Sequence, residues 1–342
     1  MQSSNTYHNM SQQSKVDLLK SIRHLGNLED VVKEACSSKS SPLWQVLQES
    51  IFGLNTRLMT NGFALGSSRA ELEWKVRNIV EQAEQLNLPK VQIPEHLTTA
   101  EVFVDWLKGH INEHRVNSHE LFYLFDNDDL SNEEVRYFLS NYRVNMQRFH
   151  LHVAAYSLFV PFEMREELYE NLHDEFGQGD FSQAHPNLFE PLMKHYGGAK
   201  EEDWNPETFN LLNTKMSLCW FADGLQYGLG GMGALELTIP AQQRRILAHL
   251  RRCGLSETMV NFFVVHCELD EAHGDGWFAA GLPHINTRDD FEKVYIAAIR
   301  MLDARAGVYD GILNGIMKRR RNNNLKLELE KQSRPQSVAV PA

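Results

Sequence analysis

The sequence predicts an all-α protein, and three observations carry that expectation. Leu, Val and Ile recur at three- and four-residue steps through most segments, the spacing that puts apolar side chains on one face of a helix. Strand-like alternation is scarce, and no rhythm of alternating strands and helices appears. Ser or Thr followed three residues later by Glu occurs at Thr98/Glu101 and Ser131/Glu134, where each hydroxyl can satisfy amides of a first helical turn.

In chain order, residues 14–35, 42–63 and 69–87 carry the helical period and form an N-terminal helical extension spanning 1–100. The segment LPKVQIPEHL (88–97), with Pro89 and Pro94, reads as a linker, because proline removes an amide donor and disfavours helix before it. The two capped starts open the main helical body, 101–317. Helix breaks are expected from Gly177 to Pro186, around Pro240, and from Gly281 to Pro283. After Ile316 the apolar period stops, so 318–342 is expected to be a flexible tail, with the Lys318–Arg321 run solvating a helix terminus. No internal repeat is visible.

With 342 residues, 42% apolar and 23% charged, the chain falls in the range of ordinary globular proteins. A formal charge of −11 argues against nucleic-acid or anionic-membrane partners, which call for a basic footprint. No apolar run approaches the ~20 residues of a membrane span, and the polar N-terminus lacks an apolar signal core. Cys36, Cys219, Cys253 and Cys267 show no paired spacing, so neither a disulfide framework nor a Cys-type zinc site is expected. A cytoplasmic protein is the economical expectation.

Candidate chemistry lies in three segments. In VVHCELDEAH, the offsets between His266, Asp270 and His273 keep the three side chains within a helical stripe about 60° wide. Two imidazoles and a carboxylate can form the first shell of a divalent iron or zinc ion; the competing reading is a hydrogen-bonded polar helix face. In NLHDEFGQGDFSQAHPNLF (171–189), Glu175 and His185 would be ~15 Å apart along a straight helix. Gly177 and Gly179 offer a place for the chain to bend so that both approach one site, the alternative being a glycine-terminated helix with a local His cap. Glu236 stands alone in the uncharged stretch Leu225–Pro240. Its small and apolar helical neighbours favour burial, which is costly for a carboxylate unless it is paired or bound to a cation. Together these give three histidines and three carboxylates, more than the four ligands that close a structural zinc site. Two adjacent iron or manganese ions with positions left open fit the set better. Glu170/His173 is the single Glu-x-x-His pair, and without a second it argues against a ferritin-like bundle.

These residues resemble the haem-oxygenase-like di-iron oxidases, the iron-containing redox enzyme family. The resemblance rests on NLHDEFGQGD, then His185 with Leu188 and Phe189, then Glu236, then His266, Asp270 and His273, and it covers about 110–316. It implies a haem-oxygenase-like helical bundle that binds two Fe(II) ions per chain, with Glu175, His185, Glu236, His266, Asp270 and His273 as metal ligands. It further implies O2 as co-substrate, a peroxo-diferric intermediate and a small organic substrate, with an amine or amino acid preferred and oxidative decarboxylation of a fatty acid as the alternative. Some similar proteins carry a further Glu on the preceding helix, where this chain offers Gln147, His150 and His152.

Three rival readings remain at this level. A haem binder on the same fold would use His114 or His119 as axial ligand, a metal-free protein would keep the six residues as a polar network, and a mononuclear site would use His266, Asp270 and His273 alone. Gly228, Gly230 and Gly233 match a dinucleotide fingerprint by spacing but follow no strand. The Gly-rich helix from Gly224 to Gly233 is expected to form a cavity wall, with Trp220, Phe221 and Tyr227 as candidate lining residues for which plain core packing is the preferred reading. Asp126–Asp129 resembles a calcium loop only faintly, lacking its glycine and closing Glu, and reads as a turn. The N-terminal helices carry no readable chemistry and are expected to pack on the core or build a homodimer.

Overall fold

The computed structural model describes residues 28–61, 68–88 and 92–333; residues 14–27 of the expected 14–35 helix, 62–63 of the expected 42–63 helix, Pro89 and residues 334–342 lie outside them. The described residues form an all-α fold. Three helices make the N-terminal extension: α1 (Leu28–Ser37), α2 (Pro42–Asn61) and α3 (Ser68–Leu86). The body follows with α4 (Ala100–Glu113), α5 (Leu121–Asp126), α6 (Asn132–Met146), α7 (Phe149–Ser157), α8 (Arg165–Glu175), α9 (His185–His195) and α10 (Pro206–Cys219). Three long helices complete it: α11 (Leu225–Arg252), α12 (Glu257–Gly281) and α13 (Arg288–Ser333).

Ser131 caps α6 through both halves of the expected box, its hydroxyl accepting from the Glu134 amide while Glu134 accepts from the Ser131 amide. The cap of α4 is Thr99, one residue beyond the expected Thr98. Helix α11 is buried along most of its length and packs against both α12 and α13. It runs through Pro240 without a break, contrary to expectation. A proline costs one intrahelical hydrogen bond, and packing on two neighbouring helices outweighs that loss.

Packing also explains the glycine-rich start of α11, which was expected to wall a cavity. A Cβ at Gly228 would strike the Tyr156 ring, and at Gly233 the Phe278 ring. At Gly230 a Cβ would lie 2.1 Å from the Val294 carbonyl oxygen on α13. The missing side chains admit neighbouring helices, not a ligand. Replacing Gly230 by Ala therefore forces backbone apart and should destabilise the protein by about 1–3 kcal/mol or more, read as a fall in the denaturation midpoint. An unchanged midpoint would show that the contact is slack.

The extension has its own apolar cluster, including Leu28, Val32, Leu47, Ile51, Leu54, Val76 and Val80. It docks on the body, α2 lying against α10. Asn213 donates to the Gln48 backbone and side-chain oxygens, both at 2.9 Å, and Asn55 donates to Asn213. Arg300 on α13 binds Glu81 at 2.6 Å and Glu84 at 2.7 Å. Burial pushes the Glu81 carboxyl up, but Arg300 overrides it and holds the group down at about 2. Phe221 joins this packing, edge-on to Trp74 and under the Arg77 guanidinium, as plain packing requires.

Helix α13 continues to Ser333, past the point where its apolar period stops. The basic run does not merely solvate a terminus. Arg319 binds Asp203 at 2.8 Å, and Arg320 binds Glu134 at 2.7 Å and Asp129 at 3.0 Å. Charge pairing with the body replaces apolar burial there, a substitution that hydrophobic periodicity does not register. Asp126–Asp129 is likewise an ion-paired turn: Asp126 binds Arg245, and Asp128, at a φ of 53°, binds Arg252 and His249.

Candidate metal centre

The segment between α8 and α9 is shaped by three successive residues of positive φ, Gly177 at 78°, Gln178 at 55° and Gly179 at 97°. This left-handed stretch reverses the chain, so Glu175, the last residue of α8, meets His185, the first of α9. The His185 Nδ1 and Glu175 Oε1 atoms are 2.9 Å apart. At Gly177 a side chain would be strained by φ and would also strike the Asp180 carbonyl oxygen. The glycines thus close the gap that a straight helix would leave open.

All six expected ligands are buried, and they divide into two groups. Glu175, His185 and His266 present ligand atoms within 4.8 Å of one another, as do Glu236, Asp270 and His273. The His266–Asp270–His273 stripe therefore does not converge on one point. One turn of rise along α12 sends His266 to the α8–α9 pair, while Asp270 and His273 join Glu236 on α11. The grouping gives a mononuclear site of His266, Asp270 and His273 no support.

Polar neighbours orient these donors. The His266 Nδ1 lies 2.7 Å from the Phe262 carbonyl oxygen, which can only accept, so Nδ1 carries the proton and Nε2 keeps its lone pair. The His273 Nε2 lies 2.9 Å from Asp174, and Asn171 donates to Glu236 at 3.1 Å. Asn171, Asp174 and Glu175 share a face of α8 at three- and four-residue spacing, a signal that was present in the NLHDE segment and not assigned a role. Asp174 fits the carboxylate that commonly orients a metal-bound histidine. Asp174→Asn should weaken Fe(II) binding by about 10- to 100-fold in anaerobic titration, and unchanged affinity would remove Asp174 from the centre.

Burial raises the Glu236 carboxyl to about 7, with Glu175 adding to the effect. It raises Asp270 well above its ordinary value, with Glu236 and Glu175 nearby. Burial also drives His266 strongly towards the neutral form, helped by His185. Burial pushes His185 down too, but the Glu175 charge and hydrogen bond carry it upward overall. One Asp270 oxygen, Oδ2, is buried without a hydrogen-bond partner among the described residues. Three carboxylates crowded into an apolar interior, one with an orphaned oxygen, match the needs of divalent cations. The donor set of three imidazoles and three carboxylates suits iron.

The other candidates stand outside the two groups. Gln147 is turned to Glu190. His150 packs on the Phe176 ring, and His152 is completely buried; neither joins a ligand group. His114 bonds the Val116 amide and Asp303, while His119 bonds the Leu121 amide and Asp310. Both nitrogens of each are engaged, so neither is presented as an axial haem ligand. Glu170 and His173 are exposed on α8.

A family model described as iron-containing redox enzyme matches residues 136–306, the span that holds all six residues. Comparison with curated proteins finds no significant relative. Among solved structures, a CADD-like protein of unknown function from Nostoc punctiforme superposes with a TM-score of 0.53 at 18% identity, covering 62% of this chain and 97% of its own. A TenA homolog from Pseudomonas syringae pv. tomato superposes with a TM-score of 0.52 at 14% identity, covering 67% of this chain and 100% of its own. These likenesses concern the fold. Among the described residues no helix is long and apolar enough to cross a membrane.

Proposed function

The chain belongs to the iron-containing redox enzyme family, and from that premise we propose that it is a non-haem di-iron oxidase or oxygenase of a small organic substrate. The observation that carries this reading is the division of six buried donors into two groups of three, with the Glu175 charge of one group acting on Glu236 and Asp270 of the other. Three ionised carboxylates offset most of the charge of two ferrous ions, and each group leaves coordination positions free. Bound iron would supply the electrons that reduce O2 and the oxidising power directed at the substrate.

The protein contributes the rest. Glu175, His185 and His266 hold one ion, and Glu236, Asp270 and His273 the other. Asp174 and the Phe262 carbonyl orient two of the imidazoles. The Phe262 ring, 4.1 Å from the His266 ring, helps to keep water from one side of the centre. An amine or amino acid is the preferred substrate, oxidised at nitrogen or cleaved at a C–C or C–N bond, in a cytoplasmic enzyme without nucleic-acid or membrane partners.

Anaerobic titration should show uptake of about two Fe(II) per chain, and mixing with O2 should give a transient visible absorption with a diferric Mössbauer signature. Uptake of a single iron would replace this reading with a mononuclear one, and no uptake would sink it.

A further inference from the structure

Beside the proposed centre lies a cavity of about 30 Å³ lined by Glu175 and His266 and by Tyr142, Phe149, Lys215 and Arg305. A single water needs roughly 10–15 Å³ of such space, so the cavity has room for a small polar head group rather than a whole substrate. Two of its walls are cationic, which is unusual for an interior that must also accept metal ions.

Lys215 on α10 is completely buried, and its ammonium nitrogen has no hydrogen-bond partner among the described residues. The Phe149 ring lies near it, with the nitrogen 5.0 Å from the centroid. Arg305 on α13 is also buried and bonds only neutral acceptors: the Tyr309 hydroxyl, the Leu235 carbonyl and the Thr238 hydroxyl. No carboxylate lies within ion-pair distance of either residue among the described residues. An unpaired buried charge is costly, and neither cation serves as a metal ligand. Two ferrous ions would more than offset the three carboxylates, so the centre supplies no anion to pair with Lys215 or Arg305.

We infer that Lys215 and Arg305 form the anion-binding end of the substrate site and hold a carboxylate of the substrate beside Glu175 and His266. This rests on the oxidase reading of the centre and narrows it, favouring an amino acid or other carboxylic acid over a simple amine. Lys215 supplies ammonium hydrogens to the carboxylate oxygens, and Arg305 supplies nearby positive charge from a guanidinium fixed by its three neutral partners. Burial lowers the ordinary proton affinity of Lys215. An arriving anion reverses that penalty, so binding is coupled to recharging of the amine.

The test compares wild type with Lys215→Met by calorimetric titration of the anaerobic, Fe(II)-incubated full chain, using butanoate, butanamide and butylamine as probes. Iron content and thermal melting are recorded on the same samples. Wild type should bind butanoate about ten-fold or more tighter than butanamide, and the preference should fall to near parity in Lys215→Met with iron content and fold retained. Equal carboxylate preference in the variant, tighter binding of the amide or amine by wild type, or no carboxylate binding at all overturns the inference. Iron content reports separately on the oxidase reading: absent iron with a Lys215-dependent carboxylate preference would sink that reading and leave the anion site standing.

Discussion

Replacing His266 with Ala, or Asp270 with Asn, should each lower bound iron from about two to about one per chain, and the double variant should bind almost none. The reason is geometric. His266 belongs only to the group with Glu175 and His185, and Asp270 only to the group with Glu236 and His273. Loss of an orienting partner alone costs about 10- to 100-fold in metal affinity, and loss of one of three ligands costs more. Neither substitution should empty the site by unfolding the chain. Asp270→Asn removes a buried carboxylate whose Oδ2 has no partner, so the metal-free variant should melt no lower than wild type. Anaerobic titration with Mössbauer spectra of each variant checks the result. Wild-type iron content in both single variants would refute two separate ligand groups, and complete loss in either would show that the ions bind only as a pair.

The outcome depends on a feature that the sequence half reveals. Six candidate ligands in order along the chain were legible because each has unusual local company: Glu236 alone among uncharged residues, His266, Asp270 and His273 on one stripe, and glycines between Glu175 and His185. Their partition was not legible. A stripe on one helix looks like one site, and only the placement of α8, α9 and α11 against α12 shows that His266 faces different partners from Asp270 and His273. Asn171 and Asp174 were visible as a face of α8, but nothing local says that this face meets Glu236 and His273. The errors share a cause. At Pro240, the start of α11 and the end of α13 the local sequence alone misleads, because helix–helix packing or ion pairs decide each one. Lys215 and Arg305 went unnoticed because each lies in a segment whose helical pattern raises no question, and their significance comes from what is missing around them in space.

That missing partner leads to an expected gain in stability: the metal-free Lys215→Met protein should be more stable than wild type near neutral pH. The Lys215 ammonium, at 10.5 in water, falls to about 7 in the fold, first through burial and then through the Arg305 charge. At about 1.4 kcal/mol for each tenfold change in proton affinity, the penalty is of order 5 kcal/mol. The groups around it do not cancel the charge. Cys219, one turn on, is pushed up to about 12 and stays a thiol, and His152 is driven to the neutral form by burial and by Lys215 itself. Glu236 and Glu175 help to keep the proton on Lys215, but they lie behind burial and Arg305 in strength. The sign follows from proton counts. Below about pH 7 the amine is charged in both states and the fold bears the whole penalty. Between about 7 and 10.5 the unfolded chain holds a proton that the folded chain has lost, so wild-type stability climbs with pH; above that window the penalty is gone. The advantage of Lys215→Met should therefore be largest at and below neutrality and shrink steadily to nothing by about pH 10.5. Urea denaturation midpoints across that range measure it directly. A variant less stable than wild type at neutral pH would mean that the ammonium already has an anionic partner inside the protein. An interior that already balances this charge would have no need of a substrate carboxylate, so the same midpoints also test the anion site from the side of the empty protein.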